Sequence, residues 1–191
     1  MVSWLQQLDT VLFYLCNVTL ANPQFDVIMP YLTEIDNWRI PIAIILIALC
    51  VFGGKTGRLT TLLIVITITL TDQTSSSLIK PLIGRIRPCN ALEGVRLLVK
   101  CTGSYSFPSS HATNMFGAAV IFSYSYKRLW PVFFMLAGLV AYSRVYVGVH
   151  YPFDIFAGAV LGTFCAGLVL VLTSILTRFI SSHRKEQRLD I

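Results

Sequence analysis

Charge is what this sequence has least of. Of its 191 residues only 13% are Asp, Glu, Lys or Arg, whereas a soluble domain carries roughly a quarter. The hydrophobic share is 55% and the mean hydropathy is +0.70, which excludes an ordinary water-soluble domain. The chain also lacks a short apolar opening followed by a small-residue cleavage site, so no removed signal peptide is expected. It lacks a CxxC pair or a Cys/His cluster, which argues against zinc. Although the net charge is +6, the bases are dispersed among apolar runs and not gathered in a patch. That distribution fits the basic flanks of membrane segments better than a nucleic-acid surface. The length suits one domain.

Long apolar runs take the place of charge. Stretches 38–54, 59–79, 129–149 and 152–180 reach, or nearly reach, the roughly 20 residues a helix needs to cross the hydrocarbon layer. A fifth, 110–126, begins polar and turns apolar ("MFGAAVIFSYSY"), as a span whose first turn lines something wet. Residues 1–36 differ: "WLQQLDTVLFYLCNVTLA" holds Gln6, Gln7, Asp9 and Asn17, and its apolar run is short. We expect amphipathic helices in the membrane interface there, followed by a turn at "NPQFD"; a poor sixth span is the alternative. The expected architecture is an all-α integral-membrane bundle of five to six transmembrane helices. It divides into an interfacial region (1–36), a membrane domain (37–180) and a basic cytoplasmic tail (181–191). "KTGR", "YKR" and "RKEQR" mark the cytoplasmic face. Cys16, Cys50 and Cys165 fall in apolar segments and read as small hydrophobes. Cys89 and Cys101 flank one polar loop and can form a disulfide if that loop faces an oxidising compartment.

Three polar clusters fall on the opposite, extracytoplasmic face. In "KPLIGRIRP", 80–88, Lys80 and Arg87 are seven apart, which on a continuous helix puts both on one side. Alone they are as well read as snorkelling bases at a membrane boundary. In "FPSSHATN", 107–114, Ser109 or Ser110 suits an N-cap and His111 falls in the first helical turn, where an anion is favoured. An ordinary capped helix start with an incidental histidine is the plainer account. In "YSRVYVGVHYPFD", 142–154, Pro152 suits the first position of a helix and places Asp154 in its first turn. His150 and Asp154 can then meet across a tight corner, the carboxylate fixing the imidazole tautomer. The competing account is a structural Arg144–Asp154 ion pair.

Taken together, three cations, one helix start, two histidines and one aspartate converge on one membrane face. A tetrahedral phosphate needs several donors, an in-line nucleophile and a proton donor for the leaving oxygen. At these residues the chain resembles the type-2 phosphatidate phosphatase superfamily, the membrane relatives of vanadium haloperoxidases. That family's pattern is K-x6-R-P, then P-S-G-H, then S-R-x5-H-x3-D. Here it reads Lys80…Arg87-Pro88, then Pro108-Ser109-Ser110-His111, then Ser143-Arg144…His150…Asp154, with Ser110 where the family usually has glycine.

The resemblance implies a membrane lipid phosphatase. His150 would form a phosphohistidine, Asp154 would orient it, and His111 would protonate the leaving lipid oxygen and then activate water. Lys80, Arg87, Arg144, Ser109 and the amide of Ser110 would hold the phosphate, with no metal and no cofactor. The expected partners are the bilayer and a lipid bearing a terminal phosphate. Undecaprenyl diphosphate comes first, by likeness to short bacterial members. Phosphatidylglycerol phosphate, phosphatidate and the 1-phosphate of lipid A follow. The implied location is a bacterial plasma membrane with the site facing outward. A lipid phosphotransferase using the same histidine, and a non-enzymatic lipid-phosphate binder, are the rival readings. Asp72 inside a span is either functional or a hydrogen-bonded structural group. Arg85 either guards the pocket or snorkels, and loop 89–107, with Glu93, Arg96 and Lys100, is a candidate gate.

Overall fold

The computed structural model describes residues 4–189, with side chains described to residue 182. Arg184, Lys185 and Arg188 of the expected basic tail therefore have side chains outside the described residues. Every regular element among the described residues is helical.

Helix α1 (Trp4–Tyr14) runs on through a π-helical turn, Leu15–Thr19, before α2 (Pro23–Thr33). The "NPQFD" stretch, expected as a turn, opens α2 instead. Asn22 Oδ1 accepts a hydrogen bond from the Phe25 amide at 2.9 Å, and Pro23 takes the position where a missing N–H costs nothing. At 11 residues each, α1 and α2 are too short to cross a membrane. Their inward faces bury Asp9, Phe13, Met29 and Thr33, and the π-helical turn between them buries Asn17. Hydrogen bonds from Asn17 to the Tyr146 carbonyl and from the Phe153 amide to Asp9 fasten this pair to one end of the bundle.

Helix α3 (Arg39–Phe52) buries none of its residues and leans on α4 (Gly54–Asp72). The buried face of α4 is Gly57, Thr60, Leu63, Ile64, Thr67 and Thr71, spaced by threes and fours. Thr60 returns its hydroxyl to the Thr56 carbonyl at 2.8 Å, and Thr71 donates to Asn114 Oδ1 at 2.7 Å. Such internal pairing lets hydroxyls lie inside a membrane bundle. The helix continues through a π-helical segment, Gln73–Ile79, into the single turn α5 (Lys80–Ile83). Gly84, at φ 63°, ends it in the left-handed region that glycine adopts without steric cost. After α6 (Pro88–Ala91) a long loop leads to α7 (Ser110–Ser125), followed by α8 (Trp130–Tyr146) and α9 (Pro152–Leu189).

Helix α7 is the centre, packed against α4, α8 and α9. Its approach to α9 is closest at "GAVLG", where Gly158 and Gly162 face the α7 backbone. Small residues at this spacing are how membrane helices come together without side-chain bulk between them. The core proper is Leu63, Ile64, Ile121, Ala166 and Val169. Outside, α3 and α9 expose large apolar side chains such as Ile44, Ile47, Phe52, Phe164 and Ile175, a surface suited to lipid and not to water. Among the described residues, three stretches are long and apolar enough to cross a membrane: Gly54–Ala91, Lys127–Tyr146 and Pro152–Ser182. Helices α3 and α7, at 14 and 16 residues, fall short of that length, and the expected five to six spans depend on counting them.

Candidate active site

One end of the bundle gathers the α7 N-terminus, the α8–α9 corner, the loop after Gly84 and the α1–α2 pair. Lys80 and Arg87 do not lie on one helix face as expected. Gly84 breaks the helix, and Arg87 stands extended ahead of Pro88, the first residue of α6. The chain reversal, not helical periodicity, brings both cations to the same buried place.

Arg87 is the most firmly held of them. Its Nε donates to the Ser104 carbonyl at 2.8 Å and its Nη2 to Ser104 Oγ at 2.9 Å. Nη1 donates to the Val149 carbonyl at 3.0 Å and lies 3.1 Å from His150 Nε2. A guanidinium has only donors, so Nε2 turns its lone pair toward Arg87. The ring proton is then on Nδ1, 3.3 Å from Asp154 Oδ2. The burial of His150, reinforced by Arg87, Arg144 and Lys80, holds its pKa well below the ordinary 6.5. The imidazole is thus neutral, with its tautomer set from both sides.

Asp154 is buried and heavily engaged. Oδ2 also accepts the Tyr151 amide at 2.9 Å, and Oδ1 accepts Arg85 Nη1 at 2.7 Å. The expected alternative of an Arg144–Asp154 ion pair is not what forms. Arg144 Nη1 donates to Thr33 Oγ1 at 2.6 Å, and its buried Nε has no hydrogen-bond partner among the described residues. The His111 ring hydrogen-bonds the Thr33 backbone and lies within electrostatic reach of Arg144, His150 and Lys80. Lys80, itself buried, lies within reach of Arg87, Arg144 and Asp154.

The two serines part company. Ser109 is the N-cap of α7: its Oγ accepts the Ala112 amide at 3.4 Å, and its own amide donates to the Asp154 carbonyl at 3.0 Å. That last bond ties the start of α7 to the start of α9. The Ser110 hydroxyl faces Ser75 and Ser76, at 3.2 and 3.0 Å. Asp72 accepts the Ser76 hydroxyl at 3.4 Å, the hydrogen-bonded account of that residue.

Residues that sequence reasoning passed over complete the shell. Thr33, Ser104 and Asp9 each hold a site arginine. Arg96 is a tie between segments: Nη2 meets Asp26 Oδ2 at 2.6 Å, and its amide donates to Asn17 Oδ1 at 2.9 Å. Asn17 Nδ2 in turn donates to the Arg96 and Tyr146 carbonyls at 2.8 and 2.7 Å. Cys89 and Cys101 are joined in a disulfide across the same loop. The spacing of Asp9, Phe13 and Asn17, each four apart and each fully buried, was the available signal for an inward face.

The PAP2 superfamily profile matches residues 61–178. A lipid A 4'-phosphatase of Bacteroides thetaiotaomicron is 33% identical over 95% of this chain and 84% of its own length. An undecaprenyl-diphosphatase of Sulfolobus acidocaldarius is 38% identical over 50% of this chain and 47% of its own. Among solved structures, Aquifex aeolicus LpxE superposes with a TM-score of 0.70 at 29% identity, covering 85% of this chain and 94% of its own. The transmembrane PAP2-type phosphatidylglycerolphosphate phosphatase of Bacillus subtilis gives 0.68 at 25% identity, covering 92% and 89%. With the profile spanning more than half the chain and a relative matching nearly all of it, this chain belongs to the PAP2 superfamily and is an integral-membrane lipid phosphatase.

Proposed function

We propose that this phosphatase works through a phosphohistidine at His150 and that its substrate is a phosphomonoester of the lipid A class. The observation behind the chemistry is the setting of His150, neutral, with Nδ1–H directed at Asp154 and the Nε2 lone pair turned toward Arg87. A phosphate oxygen arriving at Arg87 puts phosphorus in front of that lone pair. Nε2 attacks, the N–P bond forms and the P–O bond to the lipid breaks in line with it. His111, charged once the dianion is bound, gives its proton to the leaving oxygen. It then takes a proton from water, whose oxygen attacks phosphorus, breaks the N–P bond and releases inorganic phosphate. Lys80, Arg87 and Arg144 spread over the equatorial oxygens, with the Ser109 hydroxyl and the Ser110 amide at the α7 start.

The substrate class rests on how far the likeness extends. The lipid A 4'-phosphatase relative matches 95% of this chain, and so reaches through the α2 helix that delivers Thr33. Undecaprenyl-diphosphatase relatives match less of it, half for the Sulfolobus protein and 83% at 28% identity for one of Bacillus subtilis, which makes undecaprenyl diphosphate the second reading. We place the site on the extracytoplasmic face of a bacterial plasma membrane. The Cys89–Cys101 disulfide at that end supports this placement.

A phosphate-release panel tests the reading on purified protein in detergent with chelator present. It covers lipid A, undecaprenyl diphosphate, phosphatidylglycerol phosphate and phosphatidate. Lipid A should be the fastest, losing one phosphate by mass spectrometry, and His150→Ala should release none. Faster release from undecaprenyl diphosphate would move the substrate to the second reading. Phosphate transfer to another lipid without release would overturn hydrolysis, and a strict divalent-metal requirement would overturn this mechanism.

A further inference from the structure

The carboxylate behind His150 does not have its arginine to itself. Arg85 Nη1 donates to Asp154 Oδ1 and Arg85 Nη2 to Asp9 Oδ2, both at 2.7 Å. Both carboxylates are fully buried, and the Arg85 side chain is 22% exposed. The guanidinium also lies on the face of Tyr151, 3.9 Å from the ring centre, so it has little room to turn. Asp9 Oδ1 accepts the Phe153 amide at 2.8 Å, within the first turn of α9. One cation is therefore shared between two buried carboxylates, one of them delivered by α1 from the far end of the sequence.

We propose that Asp9 and Arg85 are positioning residues of the reaction, the sharing of one guanidinium between Asp9 and Asp154 setting how strongly Asp154 holds His150. This rests on His150 being the nucleophile. An arginine paired only with Asp154 would draw its negative charge away from the imidazole and weaken the Nδ1–H contact. The same contact must strengthen when the ring turns positive on phosphorylation. Asp9 takes half of the guanidinium and leaves Asp154 charge to spend on the ring. Without Arg85, two desolvated carboxylates would repel, and Asp154 would lose its aim. Asp9 lies outside the three sequence motifs and Arg85 falls at an unspecified position of the first; both act behind Asp154 and not among Lys80, Arg87 and Arg144.

The test is Asp9→Asn, nearly the same in shape, assayed for phosphate release and for phosphohistidine formation in a single turnover. We expect kcat and the rate of phosphohistidine formation to fall by about 10- to 100-fold, with KM within about twofold of wild type because the phosphate ligands are untouched. Asn17→Ala is the structural control: it loosens the same N-terminal segment from Arg96 and Tyr146 but leaves the Asp9–Arg85 contact in place. It should lower the melting temperature while keeping kcat near wild type. Arg85→Lys, which keeps the charge but cannot fork between two carboxylates, should resemble Asp9→Asn. An Asp9→Asn enzyme with wild-type kcat would overturn the proposal, and so would an equal loss of kcat in Asn17→Ala. If wild type itself forms no phosphohistidine at His150, the underlying mechanism fails instead, which is a separate outcome.

Discussion

Replacing Gly162 by alanine is the sharpest test of how the fold holds the site. A Cβ added there would lie 2.0 Å from the Thr113 carbonyl oxygen, 2.9 Å from its carbon and 3.0 Å from the Gly117 amide. All three are backbone atoms of α7, so no side chain can swing aside. Ordinary contact begins near 3.4 Å, and the two helices must part by about 1.4 Å at this point. Overpacking of this kind costs about 1–3 kcal/mol, and here the whole helix must yield. The displacement does not stay local, because α7 begins with the Ser109 cap and His111, and the Ser109 amide is bonded to the Asp154 carbonyl. A shift of about 1 Å between reacting groups is enough for a hundredfold loss. We therefore expect Gly162→Ala to lower kcat for phosphate release by about a hundredfold and to lower the melting temperature in the same detergent. Gly167→Ala is the matched control, since nothing lies within 4 Å of its added Cβ; it should gain about 0.5–1 kcal/mol from helix propensity. Wild-type kcat and melting temperature in Gly162→Ala would refute the argument that the α7–α9 approach sets the site.

Three further outcomes are expected. His111→Ala should slow hydrolysis by about 10²- to 10⁴-fold. With a substrate whose leaving group needs no proton, it should accumulate labelled phosphohistidine, because the second step still lacks its base. Serine at both Cys89 and Cys101 opens a loop closed across a sequence separation of 12, at a cost of about 3 kcal/mol for loops of this size. It should also raise KM through Ser104, the anchor of Arg87, and an unchanged KM would sink that link. Asp26 is held below its ordinary 3.8 by Arg96 and then by Tyr146. Its contribution to stability is therefore present above pH 3.8 and lost as pH falls through the lower folded value. Thermal melts of wild type should show that acid loss, and Asp26→Asn should lack it.

How much of this was legible depended on whether a residue's role is local. Pro152 as a helix start, a serine cap at 109 or 110 and Asp154 in a first turn follow from the chemistry of single residues, and α9 begins at Pro152 while α7 takes Ser109 as its cap. The Lys80–Arg87 pairing was expected for the wrong reason. Helical periodicity had to yield to Gly84, whose left-handed backbone ends the helix between them. The N-terminal region was the least legible. Its polar residues were grounds for calling it amphipathic, yet Asp9 meets the Phe153 amide across 144 positions and Thr33 meets Arg144 across 111. No spacing rule within 36 residues can reach such partners. Asp9, Asn17 and Thr33 face the protein and not water, while Gln6 and Gln7 are exposed.

The same distance problem hid which arginines keep charge for the phosphate of the proposed mechanism. Arg85, Arg87, Arg96 and Arg144 fall on one membrane face and look alike in sequence, but the folded chain sorts them by the charge of their partners. Arg85 and Arg96 end on carboxylates: Asp9 with Asp154, and Asp26. Their charge is already answered, and each fastens one segment to another. Arg87 ends on the Ser104 carbonyl and hydroxyl, the Val149 carbonyl and the lone pair of His150. Arg144 ends on the Thr33 hydroxyl. These acceptors are neutral, so they fix the two guanidinium planes without cancelling their charge. A buried cation held by neutral groups is costly until an anion arrives, and in the proposed mechanism a phosphate dianion would relieve Arg87, Arg144 and Lys80 together. Substituting a carboxylate for Thr33 would fasten Arg144 more tightly and yet remove what phosphate needs from it. In this site firm positioning and free charge are separate requirements, and neutral acceptors satisfy both.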